Sequence, residues 1–314
     1  MKKTILALAS IPATEMAQIE NDFRVIKLWE SRDPEETLKD YRLEISGILS
    51  TYNSKGVSRR LIEALPNLEI IGQFGAGYDN IDIKCAQERG IAVTNTPDVL
   101  TDDTADIAMI LLLNVARRTV EADMFVRVGR WQSGAFPLST CISGKTVGIV
   151  GLGKIGSAIA KRAVAFETNI AYYGRAKKDV PYTYFDDLAA MARASDFLVL
   201  ACAGGAETRD LIDYKMMEQL GPKGYLVNIA RGSVVNEEDM LIALRNKAIA
   251  GVGLDVYAHE PNVPEELLKM DNVVLLPHVG SATNETRSKM GRLVLQNFLA
   301  YFAGNPLLTP VNLA

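Results

Sequence analysis

The chain holds only two histidines, and each follows a short apolar run that reads as a buried strand. His278 stands in Leu275-Leu276-Pro277-His278-Val279-Gly280-Ser281, between a proline and a glycine turn. His259 stands in the polar, proline-bounded end of Gly253-Leu254-Asp255-Val256-Tyr257-Ala258-His259-Glu260-Pro261. Strand ends that run into turns are where parallel sheets present site residues, and imidazole is the side chain whose ordinary pKa lies nearest neutrality. His278 is therefore the candidate general acid or base, and His259 reads as a solvated loop residue. Glu260 is the candidate carboxylate that would orient the His278 ring and favour its protonated form. Asn228-Ile229-Ala230-Arg231-Gly232 puts Arg231 just past the end of another strand. There it is either a clamp that grips a carboxylate through two parallel hydrogen bonds or a cap on a surface loop. Spacing alone leaves open whether Arg231, Glu260 and His278 meet.

A second kind of chemistry is written near the middle of the chain. Thr146-Val147-Gly148-Ile149-Val150 is a buried-strand pattern that runs into Gly151-Leu152-Gly153-Lys154-Ile155-Gly156. A strand that turns on glycine and opens a helix offers free backbone N–H groups and a positive helix end to a pyrophosphate. A glycine turn can also close a loop that binds nothing, but here the small apolar residues of 155–165 and a second strand at Ile170 to Tyr173 complete the unit. The expected ligand is a dinucleotide. An enzyme that uses NAD places an acid at the end of that second strand, to hold the ribose 2'-hydroxyl. This chain instead has Tyr173-Gly174-Arg175-Ala176-Lys177-Lys178. Those cations would attract a 2'-phosphate, so NADP(H) is expected in preference to NAD(H); the alternative is a merely solvated turn.

These residues need a framework to hold them. Apolar runs recur at Thr4 to Ala9, Arg24 to Trp29, Gly47 to Ser50, Ile70 to Phe74 and Ile91 to Thr94, most of them separated by helix-length segments. A second series runs through Val147 to Val150, Ile170 to Tyr173, Phe197 to Ala201, Tyr225 to Ile229, Val252 to Leu254 and Val273 to Leu276. Strands that alternate with helices predict parallel sheets. Long helical segments at Asp102 to Val120 and Glu285 to Phe302 read as connectors, the second returning the chain to the first domain. The expected architecture is α/β with two doubly wound parallel-sheet domains. Residues 1–98 and 284–314 would form a discontinuous, flavodoxin-like substrate domain, and residues 99–283 an inserted Rossmann dinucleotide-binding domain, with the ligand in the cleft between them.

Composition narrows the partners. The 314 residues are 48% apolar, enough for two ordinary cores, and carry a formal net charge of −4 without a basic stripe. Nucleic acid and anionic membrane surfaces are therefore poor candidates. Lys2-Lys3 followed by Ile5 to Ala9 has the look of a secretory signal, but the apolar run stops at Ser10 and Pro12. The most apolar stretch, Ala108 to Val115, is interrupted by Asn114 and falls short of a membrane span. Cys85, Cys141 and Cys202 lie far apart without metal-ligand spacing, which suits a reducing compartment. The expectation is a soluble, cytoplasmic protein.

Taken together the motifs resemble the D-2-hydroxyacid dehydrogenases. The resemblance rests on Gly151 to Gly156, Asn228 to Gly232, Gly253 to Val256 with Glu260-Pro261, and Leu276 to Ser281, in that order. Phe74-Gly75-Ala76-Gly77-Tyr78-Asp79 and Val93-Thr94-Asn95-Thr96-Pro97-Asp98 extend it over nearly the whole chain. It implies His278 as general acid/base, Glu260 as its carboxylate partner, and Arg231 as the group that binds the substrate carboxylate and polarises its carbonyl, with no metal required. It implies backbone contacts from Ala76 and Gly77 to the substrate and places Ser50 at the cleft edge. Cofactor contacts fall to the residues of 151–156, Gly174, Arg175, Ala176, Lys177, Ile229, Ala230, Arg231, Asp255 on the nicotinamide side, His278 and Gly280. Within the family the sequence is most similar to NADPH-dependent glyoxylate/hydroxypyruvate and hydroxyphenylpyruvate reductases, and a homodimer joined through the dinucleotide domains is implied. The apolar residues 107–115 suit either such an interface or an ordinary core helix, and Trp131 and Phe136 either a site or plain packing. Two other readings of the same architecture are a cofactor-sensing, corepressor-like binding module and a formate- or phosphite-type dehydrogenase.

Overall fold

The computed structural model describes residues 2–52, 54 and 56–311. The chain divides into two units, one of residues 1–100 with 281–314 and the other of residues 101–280.

In the first unit the strands are β1 (Thr4–Ala7), β2 (Arg24–Lys27), β3 (Ile45–Thr51), β4 (Ile70–Phe74) and β5 (Ala92–Thr94). Between them lie helices α1 (Ala13–Asp22), α2 (Pro34–Tyr41), α3 (Arg59–Ala64) and α4 (Ile83–Glu88). All pairings are parallel, in the order β2-β1-β3-β4-β5, the flavodoxin-like order. β3 and β4 are buried along their whole length, as strands covered on both faces must be. The run from Arg24 stops being a strand at Lys27, and Leu28–Glu30 form a single 3-10 turn.

The second unit opens with α5 (Thr101–Arg117) and α6 (Thr119–Arg127). One helix was expected over residues 102–120, but Arg118 adopts the left-handed region, at φ 54°, and breaks it. After β6 (Thr146–Val150) come α7 (Lys154–Val164), β7 (Asn169–Tyr173), β8 (Thr183–Phe185), α8 (Leu188–Arg193), β9 (Phe197–Leu200) and α9 (Tyr214–Leu220). Then follow β10 (Tyr225–Asn228), α10 (Glu237–Arg245), β11 (Gly251–Leu254) and β12 (Val273–Leu275). The seven parallel strands run in the order β12-β11-β10-β9-β6-β7-β8, so the sheet grows outward in both directions from β6 and β9. That is the Rossmann arrangement, in which the strand order reverses beside the first glycine turn. Edge strand β8 had not been read from the sequence, since three residues after a proline carry too little periodicity.

Of the residues 107–115, Ala108, Met109, Leu111, Leu112 and Val115 are buried in the second unit's core. A Cβ on Gly253 would lie 3.0 Å from Leu111 Cβ, so α5 is drawn close against β11. The core-helix reading therefore describes these residues. The long C-terminal helix α11 (Asn284–Phe302) belongs to the first unit. It packs on β4, where a Cβ on Gly72 would come within 2.8 Å of the Phe298 ring. No helix among the described residues is long and apolar enough to cross a membrane.

Candidate active site

Three consecutive strand ends of the second unit carry the candidate chemistry. Arg231 follows β10, Glu260 follows β11 and His278 follows β12, all at the carboxyl edge of the sheet. His278 Nδ1 and Glu260 Oε2 are 2.7 Å apart, with the imidazole 20% and the carboxylate 28% exposed. Burial pushes the Glu260 carboxyl up. The hydrogen bond and charge of His278, the Tyr257 N–H and the charge of Arg231 outweigh it and hold the group below the ordinary carboxylate range. His259, one residue earlier, lies exposed in the loop.

The backbone around these residues is shaped by groups that the sequence reading did not single out. Asn228, 1% exposed, donates its Nδ2 to the Arg231 carbonyl at 2.9 Å and accepts the Ala230 N–H on Oδ1 at 3.0 Å. The arginine thus rises from a stapled turn, and its Nη1 donates to the Ala230 carbonyl at 2.8 Å. Gly232 lets that turn touch the next one, since a Cβ there would lie 1.9 Å from the Tyr257 carbonyl carbon. Tyr257 then links the second loop to the third: its N–H donates to Glu260 Oε1 at 3.1 Å and its hydroxyl to the Leu276 carbonyl at 2.9 Å.

His278 itself sits in the left-handed region, at φ 54°. A bulky residue held there costs of order 1–3 kcal/mol. Asp255, 2% exposed, accepts the next two backbone N–H groups, Val279 at 2.7 Å and Gly280 at 2.8 Å. Hydrogen bonds to a charged group contribute about 1.5–3 kcal/mol each, enough together to hold the turn against that strain. Burial pushes the Asp255 carboxyl above its ordinary range, and these two N–H donors and His278 pull it back in part. The loop end is tied again where Thr104 Oγ1 donates to the Gly280 carbonyl at 3.1 Å.

Further along the same sheet edge, after β6, the glycine turn has the shape a dinucleotide needs. Gly151 has φ 92°, and a Cβ there would meet the Cys202 backbone at 2.7 Å. A Cβ on Gly156 would lie 2.2 Å from the Gly151 carbonyl oxygen, so helix and strand meet where only hydrogen fits. Gly153, the N-cap of α7, faces open space, with nothing within 4 Å of where a Cβ would stand. A turn with its crowded sides closed and its helix-facing side open fits a pyrophosphate. Gly174, just past β7, is equally open, and Arg175, Ala176 and Lys177 beyond it are exposed. Lys178 departs from the expected cluster: its ammonium donates to the Leu152 carbonyl.

In the first unit, Ser50 lies near the end of β3, fully buried, its hydroxyl 3.2 Å from that of Ser54. Ala76 and Gly77 follow β4 in a loop whose carbonyls are anchored by Asn95 Nδ2 at 2.7 Å and Gln73 Nε2 at 3.1 Å. The N–H groups of Ala76 and Gly77 make no hydrogen bond among the described residues, which leaves two donors for an anion. Arg287 on α11 had not been singled out either. It lies over the rings of Tyr52 and Phe74, at 5.7 and 5.5 Å, and lines a cavity of roughly 350 Å³. Of the two aromatics raised from the sequence, Trp131 is 67% exposed, while Phe136 packs edge-on against Phe125 at 5.4 Å.

The chain is similar to known proteins over most of its length. Residues 109–280 match the family model of the D-isomer specific 2-hydroxyacid dehydrogenase NAD binding domain. Glyoxylate/hydroxypyruvate reductase A of Arabidopsis thaliana is 48% identical over 295 residues, which cover 94% of both chains. Hydroxyphenylpyruvate reductase of Plectranthus scutellarioides is 46% identical, again over 94% of both. The crystal structure of an NADPH-dependent glyoxylate/hydroxypyruvate reductase from Sinorhizobium meliloti, in complex with NADP and malonate, superposes with a TM-score of 0.91. It is 42% identical, over 99% of this chain and 97% of that one. With that likeness running from end to end and the dinucleotide turn intact, the chain is an oxidoreductase of the D-isomer-specific 2-hydroxyacid dehydrogenase family.

Proposed function

We propose that the protein reduces a small 2-oxo acid, glyoxylate or hydroxypyruvate, to the D-2-hydroxy acid, using NADP(H) in preference to NAD(H). The observation that carries this reading is the 2.7 Å pair of His278 and Glu260 at the carboxyl sheet edge that also bears Arg231. With Nδ1 held by Glu260, the ring presents Nε2 as the nitrogen that gives up a proton. In that orientation His278 acts as the acid that protonates the oxygen at C2 as negative charge develops there. Arg231 binds the substrate carboxylate and polarises the adjacent carbonyl. Glu260 fixes the ring in its donating orientation. In the first unit, the N–H donors of Ala76 and Gly77 and the hydroxyl of Ser50 are suited to binding a carboxylate. When bound, the reduced nicotinamide would supply the hydride, and Ile229, Ala230, Asp255 and Gly280 are the residues that would hold that side of the cofactor.

The cofactor preference rests on Gly174, which leaves room, and on exposed Arg175 and Lys177, with no acid in the place where a 2'-hydroxyl would be held. The NADP-bound relative supports the same choice. A bulkier substrate, hydroxyphenylpyruvate, is the second reading, favoured by the relative that is 46% identical. Three free thiols suit a reducing compartment such as the cytoplasm. The test crosses NADPH and NADH with glyoxylate, hydroxypyruvate, hydroxyphenylpyruvate and pyruvate, following loss of the reduced nicotinamide's absorbance. NADPH with glyoxylate or hydroxypyruvate is expected to give the highest kcat/KM. Preference for NADH contradicts the cofactor assignment, and no turnover of any 2-oxo acid contradicts the reaction and favours a binding module.

A further inference from the structure

We propose that the hydroxyls of Tyr172 and Tyr184 position the turn at residues 174–178 as the recognition site for a 2'-phosphate on the cofactor's adenosine ribose. This rests on the NADP(H) reading above. Tyr172 belongs to β7 and is 1% exposed, yet its hydroxyl reaches the following turn and accepts the Lys178 N–H at 2.7 Å. Tyr184 belongs to the neighbouring strand β8, and its hydroxyl donates to the Gly174 carbonyl at 3.2 Å. The two rings pack 5.2 Å apart. Both ends of the turn are thereby tied to adjacent strands, and the Lys178 ammonium ties it a third time, to the Leu152 carbonyl of the glycine turn.

What lies between the ties is Arg175, Ala176 and Lys177, all exposed. Neither Arg175 nor Lys177 has an ion-pair or hydrogen-bond partner among the described residues. A phenylalanine at either tyrosine position would fill the same space, so packing alone does not call for the hydroxyls; their described partners are the backbone of this turn. A fixed backbone sets where two flexible cationic side chains begin, and so reduces the freedom lost when both close on one phosphate. A cofactor without that phosphate does not draw on the two cations. Loosening the turn should therefore change selectivity more than general affinity, a signature that a purely structural role lacks.

The experiment titrates the full-length protein calorimetrically with adenosine 2',5'-bisphosphate and with AMP, for the wild type, Tyr172→Phe and Tyr184→Phe, with thermal unfolding recorded alongside. The wild type should bind the bisphosphate more tightly. In each variant the ratio of the two dissociation constants should shrink roughly tenfold, the equivalent of one ordinary hydrogen bond. Two variants are used so that the result stands if one folds poorly. An unchanged ratio in a folded variant, or equal losses for both ligands, overturns the positioning role. A wild type that binds both ligands equally overturns the cofactor reading and this proposal with it, so the two failures are told apart by the wild type alone.

Discussion

At the scale of single residues, the candidate site turns on what holds His278 in an uncommon backbone conformation beside Glu260. The ring is fixed from two directions, by the Glu260 carboxylate on Nδ1 and by Asp255 on the backbone that follows. Because the Glu260 carboxyl is depressed in the folded state, its contribution to stability is fully present above the unfolded carboxylate pKa, about 4.3. It is lost as pH falls through the lower, folded value. Glu260→Gln should therefore lower Tm above the unfolded carboxylate pKa, and the gap between wild type and variant should close in acid. A gap that widens below the ordinary carboxylate range would mean that the folded carboxyl is raised. Residues that carry charge or a proton were legible from their type and place: the chain has two histidines, and Arg231 stands just past a strand. Asn228, Tyr257 and the backbone-holding role of Asp255 were not, since each acts through a hydrogen bond to a chain segment that only the folded sheet brings near.

At the scale of elements, the carboxyl sheet edge works because successive strand ends are allowed to touch. Gly232 is the closest of these contacts. Gly232→Ala would place a Cβ against the Tyr257 backbone, which has no side-chain freedom to yield, and overpacking of this kind costs about 1–3 kcal/mol. The turn that carries Arg231 would move away from the one that carries Glu260. Circular dichroism melting should show a lower Tm, and kcat/KM should fall more than stability alone explains; a variant with wild-type Tm and turnover would contradict the contact. Most strands were legible as apolar runs between helices, including every strand that bears a candidate residue. β8 was not, because it is a short edge strand that shows no alternation. Nor was the break between α5 and α6, since nothing in an uninterrupted helical pattern marks Arg118 as left-handed.

At the scale of the whole molecule, each unit has its own sheet and core, and the second exposes several large apolar side chains near α6. Val120, Met124, Val126 and Val128 on and just after α6 are each more than half exposed, and Trp131 and Leu138 more so. Contiguous exposed apolar surface marks association, and the homodimer that the family resemblance implies would cover side chains of this kind. Val126→Asp with Met124→Glu should shift the protein to monomer in light scattering coupled to gel filtration; a wild type already monomeric at micromolar concentration would contradict it. The proposed reaction joins a family-wide dinucleotide fold to one proton-donating histidine. Its most direct test is single-turnover reduction of hydroxypyruvate by the NADPH-loaded protein, wild type against His278→Ala. The account predicts a rate at least about 100-fold slower in the variant, the usual contribution of a positioned acid, with the reduced cofactor still bound. Equal rates in the two proteins would contradict it.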